Sequence, residues 1–84
     1  MPELRLTRRA KNDLTDLPAA VREAVLETLD LISREPEARK QLVGRMRGLW
    51  SARVGNYRVL YTNEPTYIII RAIRHRAIAY RRPP

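Results

Sequence analysis

The spacing of apolar residues changes partway along this chain. Up to residue 35, apolar side chains recur every three or four positions, which is the period of one face of an α-helix. From residue 49 onward they alternate with polar side chains or form β-branched runs, which is typical of strands. A short alternating segment, Glu3 to Thr7, precedes the helical part. The predicted order of elements is therefore β-α-α-β-β-β.

Two helices are predicted in the first half. Thr7 can cap the first helix, over Arg8–Asp16, because its hydroxyl can accept a hydrogen bond from the first turn. Pro18 suits the first turn of the second helix, and Glu35–Pro36 ends it, since the residue before a proline avoids the α region. The apolar stripes comprise Ala10, Leu14 and Leu17 in the first helix, and Val21, Ala24, Val25, Thr28, Leu29 and Ile32 in the second.

Three strands are predicted in the second half, over Leu49–Val54, Tyr57–Thr62 and Tyr67–Arg74. They follow Leu42–Gly48, which is either a loop or the start of a strand. The three strands should form an antiparallel meander, with the N-terminal strand at an edge or alongside. We expect a single α+β domain over residues 1–84, with two N-terminal helices packed on one face of a small, mostly antiparallel sheet. The opposite side of the sheet, here called the outer face, can then be open to solvent.

Composition excludes several classes of protein. The 84 residues include no Cys and one His, so that neither a disulfide framework nor a thiolate metal site can form. No apolar run approaches the roughly 18 residues that span a bilayer, and the first residues lack the apolar core of a signal peptide. We therefore expect a small soluble protein of the cytoplasm, with no membrane partner, no metal and no small-molecule cofactor.

Positive charge is concentrated in the second half. The chain has 17 Lys and Arg against 9 Asp and Glu, a net charge of +8. Residues 1–42 are balanced, with eight cations and eight acids, whereas residues 43–84 hold nine Arg and the single acid Glu64. A coding bias could explain the preference for Arg over Lys, but not this asymmetry. The second half is therefore the part expected to bind an anion.

The turn at Gly55–Asn56 places two arginines opposite each other. Glycine and asparagine tolerate the backbone of a two-residue hairpin turn, so Val54 should face Tyr57 and Arg53 should face Arg58. Directly opposed Cβ atoms lie about 5 Å apart, where like charges are destabilising. The pair is either a clamp for a phosphate or two solvated arginines that splay apart.

The third strand adds more cations, in a register that its turn leaves open. A four-residue loop around Asn63–Thr66 would put Arg71 on the same face as Arg58, and a loop of three or five residues would put Arg74 there instead. In either case the outer face gains at least three arginines, which can bind an RNA backbone and stabilise charge developing on a phosphate.

Few other side chains suggest chemistry. His75 is either an ordinary surface residue or an imidazole that moves a proton near neutral pH. Tyr80 either packs over the sheet edge or stacks on a base and transfers a proton. The remaining aromatic residues are predicted to pack in the core or on the sheet: Trp50, Tyr57, Tyr61 and Tyr67.

Several catalytic arrangements are missing from the basic half. It lacks paired carboxylates, a Gly-rich phosphate loop and the clustered acids that a metal-dependent nuclease needs, since Glu64 is its only acid. If this chain cuts RNA, the 2′-OH of the substrate attacks the adjacent phosphate and arginines neutralise the developing charge.

The segment Arg47–Tyr61, the later Ile-Ile-Ile-Arg-Ala-Ile-Arg-His-Arg string and the Tyr80–Arg81 pair resemble the RelE/ParE toxin superfamily of bacterial and archaeal toxin–antitoxin systems. The Asp13–Leu14 and Leu17–Pro18 positions fit as well. The resemblance covers nearly the whole chain. It implies the fold predicted above and a RelB-like antitoxin partner, whose acidic or amphipathic segment would cover the sheet and the hairpin.

The RelE-like branch consists of ribosome-dependent endoribonucleases (mRNA interferases) that cut mRNA in the decoding site and arrest growth. In this chain the resemblance places the catalytic arginine of the Tyr-Arg string at Arg58, and it places a basic positioning residue at Arg53. A second arginine matches Arg74 without a gap or Arg76 with one, and the proton-transfer candidates are Tyr80 and His75. The expected RNA-binding positions are Arg45, Arg47, Ser51, Arg71 and Arg81, although the family carries a cation where this chain has Ser51.

Two other functions remain open at this stage. The ParE-like branch shares the fold but poisons DNA gyrase and cuts no RNA. The short helical pair, and Tyr80 after the His-Arg pair, favour the RelE-like branch. A non-catalytic nucleic-acid-binding module is the third possibility.

Overall fold

A computed structural model describes residues 3–38, 40–41 and 48–76. Its elements follow the predicted order, with a 3₁₀ turn and a two-residue strand added between the second helix and the meander. The elements are β1 (Glu3–Leu6), α1 (Arg8–Asp16), α2 (Ala19–Arg34), the 3₁₀ turn (Pro36–Ala38), β2 (Lys40–Gln41), β3 (Trp50–Val54), β4 (Tyr57–Asn63) and β5 (Tyr67–His75). Most of the segment predicted as a loop or the start of a strand, residues 42–47, lies outside the described part of the chain.

The strands form one mixed sheet in the order β1-β5-β4-β3-β2. β1 runs parallel to β5 at one edge, and the β2–β3, β3–β4 and β4–β5 pairs are antiparallel. The α+β fold class and the mostly antiparallel sheet are thus confirmed, and the N-terminal strand takes the edge position that the sequence allowed.

Side-chain caps fix both ends of α1. At its start, the Thr7 hydroxyl accepts a hydrogen bond from the Ala10 N–H at 3.0 Å, as predicted. At its end, the Arg22 guanidinium of α2 donates to the carbonyl oxygens of Leu14, Thr15 and Leu17 at 2.9–3.2 Å. These bonds satisfy carbonyls that a helix end leaves without partners. Arg22 therefore joins the two helices and is a structural arginine.

The core lies between the helices and one face of the sheet. On that face, apolar side chains of β4 and β5 are fully or almost fully buried: Val59, Tyr61, Ile68, Ile70 and Ile73. The helices contribute the positions predicted from the helical stripes, among them Ala10, Leu17, Val25, Leu29 and Ile32. Neither α1 nor α2 is long and apolar enough to cross a membrane, and the described residues hold no other α-helix of such length.

The edge of β5 that does not face β4 is hydrogen-bonded in two different ways. β1 pairs with its first four residues, Tyr67–Ile70. Beyond them, the edge is bonded by α1 and its cap: the Thr7 hydroxyl donates to the Arg71 carbonyl oxygen at 3.0 Å, and the Ile73 N–H donates to Asp13 Oδ2 at 3.0 Å. Helix α1 thus replaces a neighbouring strand along the second half of β5.

Candidate functional site

Three arginines lie side by side on the outer face. The Gly55–Asn56 turn produces the predicted register, in which Arg53 pairs with Arg58 across the β3–β4 hairpin. Gly55 has a φ of 59°, the left-handed conformation that favours glycine. On the other side of β4, Arg58 pairs with Arg74 of β5. We call Arg53, Arg58 and Arg74 the arginine row.

The arginine row concentrates charge where it interacts strongly. Neighbouring Cβ atoms in such pairs lie about 5 Å apart, a spacing at which like charges repel. Arg53 is exposed, Arg58 and Arg74 are half-buried, and the Nη1 atom of Arg58 is shielded from solvent. Because a partly buried charge is less screened than an exposed one, the row has a strong attraction for an anion that can contact two or three guanidinium groups at once.

A bulge in β5 brings a further arginine to the same face. Near the turn, Asn63 pairs with Ile68, which leaves four residues between them and by itself would align Arg71 with the Arg58 face. The register shifts at Leu60/Tyr61, so that Arg74 pairs with Arg58 instead. Arg71 occupies the bulge and still reaches the outer face, where its Nε donates to the Thr62 hydroxyl at 3.3 Å. The sequence predicted that either Arg71 or Arg74 would lie on the Arg58 face, depending on the length of the loop. That choice was wrong, because both arginines lie on this face.

The β1 end of the outer face carries a second, partly neutralised charge cluster. Arg5 Nε lies 2.7 Å from Glu3 Oε2, and the Arg5 guanidinium sits 4.8 Å from the centre of the Tyr67 ring. The hydrogen bond from Arg5, together with its charge, lowers the pKa of the Glu3 carboxyl below its usual 4.5. Tyr67 packs on the sheet under this guanidinium, as expected of an aromatic residue with a sheet-face role.

The outer face is not open throughout. Ser51 and Leu60 pair with each other between the two charged ends, and each is only 6% exposed. The expectation of a solvent-open face therefore holds at Arg53 and Arg71 but is wrong in the middle. The physical reason is visible in the sequence, since Leu60 is apolar where a fully solvated face would carry a polar residue.

Neither His75 nor Arg76 pairs with Arg58 in the sheet. His75 pairs with Tyr57 on the helix-facing side, and their rings meet edge to face with centroids 5.4 Å apart. Arg76 follows the end of β5, and its backbone N–H donates to the Asn56 carbonyl oxygen at 2.7 Å. Of the two candidates for the second arginine, Arg74 is thus the one that β5 places beside Arg58. The other predicted site residues lie outside the described part of the chain: Arg45, Arg47, Tyr80 and Arg81.

Sequence reasoning overlooked one acid near this site. Asp13 was noted only as part of the resemblance, yet its carboxylate binds the backbone of β5 directly before Arg74. Its other oxygen lies 3.6 Å from Arg9 Nε. No sequence signal distinguishes this acid from Asp16, the exposed acid of α1, because its partner is a backbone group 60 residues away. Within residues 3–38, 40–41 and 48–76, no three His, Asp or Glu side chains gather where they could hold a metal ion.

Comparison with known proteins defines the class to which this fold and basic face belong. A family model described as the ParE toxin of the type II toxin–antitoxin system parDE matches residues 4–80. The chain therefore belongs to the RelE/ParE superfamily of type II toxin–antitoxin toxins, and the resemblance stated from the sequence is confirmed.

Individual relatives carry RelE-type names. Toxin RelG of Mycobacterium tuberculosis is 41% identical over 83 residues, which cover 94% of this chain and 95% of that protein. The RelBE2 toxin–antitoxin complex of Mycobacterium tuberculosis contains a chain that superposes with a TM-score of 0.82 at 37% identity, over 90% of this chain and 100% of that one. The RelE–RelB complex of Pyrococcus horikoshii gives a TM-score of 0.74 at 28% identity, over 92% of this chain and 97% of that one.

Proposed function

We propose that this chain is a ribosome-dependent endoribonuclease that cleaves mRNA and that a RelB-like antitoxin keeps inactive. The observation that carries the proposal is the arginine row, because three adjacent guanidinium groups on one sheet face are complementary in sign and hydrogen bonding to the oxygens of a phosphodiester. The relatives named RelG and RelBE2 support the RelE-like branch. Dependence on the ribosome is carried over from that branch.

In the proposed reaction the RNA supplies its own nucleophile. The 2′-OH attacks the adjacent phosphorus and the bond to the 5′ oxygen of the next nucleotide breaks, which leaves a 2′,3′-cyclic phosphate and a 5′-OH. Negative charge builds up on the non-bridging oxygens during this step. Arg58 and Arg74 stabilise that charge, and Arg53 positions the backbone.

Protons must leave the 2′-OH and reach the departing oxygen. His75 lies with Tyr57 on the helix-facing side of the sheet, away from the arginine row. We therefore assign proton transfer to the phenol of Tyr80 rather than to His75. Arg71, three residues before Arg74 and on the same face, would bind the flanking phosphates of the RNA.

Inhibition of DNA gyrase is the second candidate function. The observation that favours it is the family description, which names a ParE toxin. The arginine row could then bind an acidic or DNA-bound surface of gyrase without any cleavage. The two functions predict different products in the cell, so that one induction experiment separates them.

The test is induction of the protein in a bacterial host, followed by mapping of mRNA 5′ ends against the reading frame. Cuts at a fixed position within codons, and only in translated regions, are the expected result. Induction of Arg58→Ala, which should produce no cuts, is the matched control. Intact mRNA with growth arrest and a DNA-damage response would overturn the nuclease proposal in favour of gyrase inhibition. If induction produces neither cuts nor growth arrest, the remaining interpretation is a non-catalytic binding module. Rescue by a co-expressed antitoxin tests the partner.

A further inference from the structure

The part of β5 that carries Arg74 pairs with β4 on one edge and is held on the other edge by a helix instead of a strand. β1 ends its pairing at Ile70, and the bulge at Arg71 interrupts the ladder to β4 one residue later. Bulges weaken local pairing and bend the strand that contains them. The position of Arg74 therefore depends on the β4 ladder at one edge of β5 and on the groups that bond the other edge after the bulge.

Asp13 supplies that bond. The Ile73 N–H points away from β4 and donates to Asp13 Oδ2 at 3.0 Å, and Ile73 directly precedes Arg74. The Asp13 side chain is only 19% exposed, and Arg9 Nε lies 3.6 Å from its second oxygen. A shielded, charge-assisted hydrogen bond is stronger and better oriented than one in water.

We propose that Asp13 is a positioning residue for Arg74: together with the β4–β5 ladder, it fixes the backbone of β5 after the bulge and so refines the placement of Arg74 beside Arg58. The inference rests on the proposed nuclease function and deepens it. Asp13 itself touches neither RNA nor the reacting atoms. Its effect passes through one backbone bond to the next side chain, where a misplacement of about 1 Å can lower a rate on the order of 100-fold.

The central test compares Asp13→Ala with Asp13→Asn. The alanine variant removes the acceptor, whereas the asparagine amide keeps an oxygen that the Ile73 N–H can reach. Asp16→Ala is the matched control, because it removes an exposed acid from the same helix. The assay is single-turnover cleavage of mRNA on programmed ribosomes, at a temperature where circular dichroism shows each variant folded.

We expect Asp13→Ala to lower the cleavage rate by about 10- to 100-fold while apparent binding to the ribosome changes little. Asp13→Asn should recover most of the rate, and Asp16→Ala should match the wild type. A merely structural role would lower the melting temperature of Asp13→Ala but leave the rate of the folded protein unchanged. That outcome, or a failure of Asp13→Asn to recover the rate, would overturn the proposal.

A second readout does not depend on nuclease activity. In the wild-type protein the Ile73 amide should exchange with solvent as slowly as amides inside the β4–β5 ladder, because Asp13 protects it. In Asp13→Ala this protection should fall, and the Arg74 Nε–H resonance should shift. Fast exchange of Ile73 in the wild type would overturn the inference even if no variant folds. Slow exchange in a protein that cuts no mRNA would instead refute the proposed function alone.

Discussion

The two faces of this sheet differ in their chemistry, although the same strands contribute to both, as β5 shows. On the helix-facing side of β5, Ile68 and Ile70 are fully buried. On the outer face, the same strand carries Arg71 in its bulge and Arg74 opposite Arg58. One face removes apolar surface from water, and the other holds neighbouring arginines whose Cβ atoms lie about 5 Å apart. The comparison shows that the side chains that stabilise the fold and the side chains that carry charge lie on opposite faces of the same strand.

The outer face has the character of a binding surface because its local arrangement opposes stability. Adjacent like charges cost free energy in the isolated protein, and an anion between them would reverse the sign of that interaction. Violations of local rules are expected at functional sites and are offset elsewhere in the fold. Here the offset is the apolar packing under α2.

The largest expected effect is the loss of stability when a buried isoleucine of β5 is truncated, compared with truncation of its neighbour on the outer face. Ile70 is fully buried on the helix-facing side, whereas Ile69 is half-buried on the outer face. Ile70→Ala should lower the free energy of unfolding by about 2–5 kcal/mol, through lost burial and the cavity left behind. Ile69→Ala, with the same chemistry one position away, should cost less than half as much. Urea denaturation measures both, and equal losses would contradict the division between the faces.

The next largest expected effect is on the rate of mRNA cleavage when an arginine of the row is removed. Arg58→Ala should lower mRNA cleavage by about 10²–10³-fold, the loss typical when one group that stabilises transition-state charge is removed. Arg34→Ala removes the same charge from the exposed end of α2, where Arg34 pairs with Asp30, and it should leave cleavage unchanged. Circular dichroism must show both variants folded. A folded Arg58→Ala protein with undiminished toxicity would refute the assignment of the site.

A smaller effect on the stability of the protein is expected when one charge of the arginine row is removed. Arg74→Gln relieves repulsion with Arg58, so it should raise the free energy of unfolding by about 0.2–1 kcal/mol at low salt. The gain should shrink at high salt, where exposed charges are screened. Arg71→Gln is the control, since Arg71 lies in the bulge and bonds Thr62. If Arg74→Gln destabilises the protein as much as a core substitution, the row is a structural feature and not a binding site.

Much of this arrangement could be predicted from the sequence because its signals are local. The Gly55–Asn56 turn fixed the pairing of Arg53 with Arg58, and Thr7 marked the start of α1. In both cases the residues that carry the signal are close neighbours along the chain.

The rest depends on long-range contacts that leave no local pattern. The bulge at Arg71 shifts the register between β4 and β5, so turn length alone could not decide between Arg71 and Arg74. Asp13 resembles any exposed helix acid until the Ile73 N–H is placed beside it.

The smallest predicted effect concerns Glu3, the one acid in the described strands. Its hydrogen bond and attraction to Arg5 lower its pKa below the usual 4.5, so the pair favours the folded state above about that pH. This contribution is lost as the pH falls through the lower pKa of the folded protein. Because both side chains are exposed, any change in stability should lie within the error of denaturation experiments. The measurable quantity is the carboxyl-carbon NMR titration: Glu3 should titrate below 4.5 and return toward 4.5 in Arg5→Leu. A Glu3 pKa at or above 4.5 in the wild type would show that the ion pair between Arg5 and Glu3 does not form in solution.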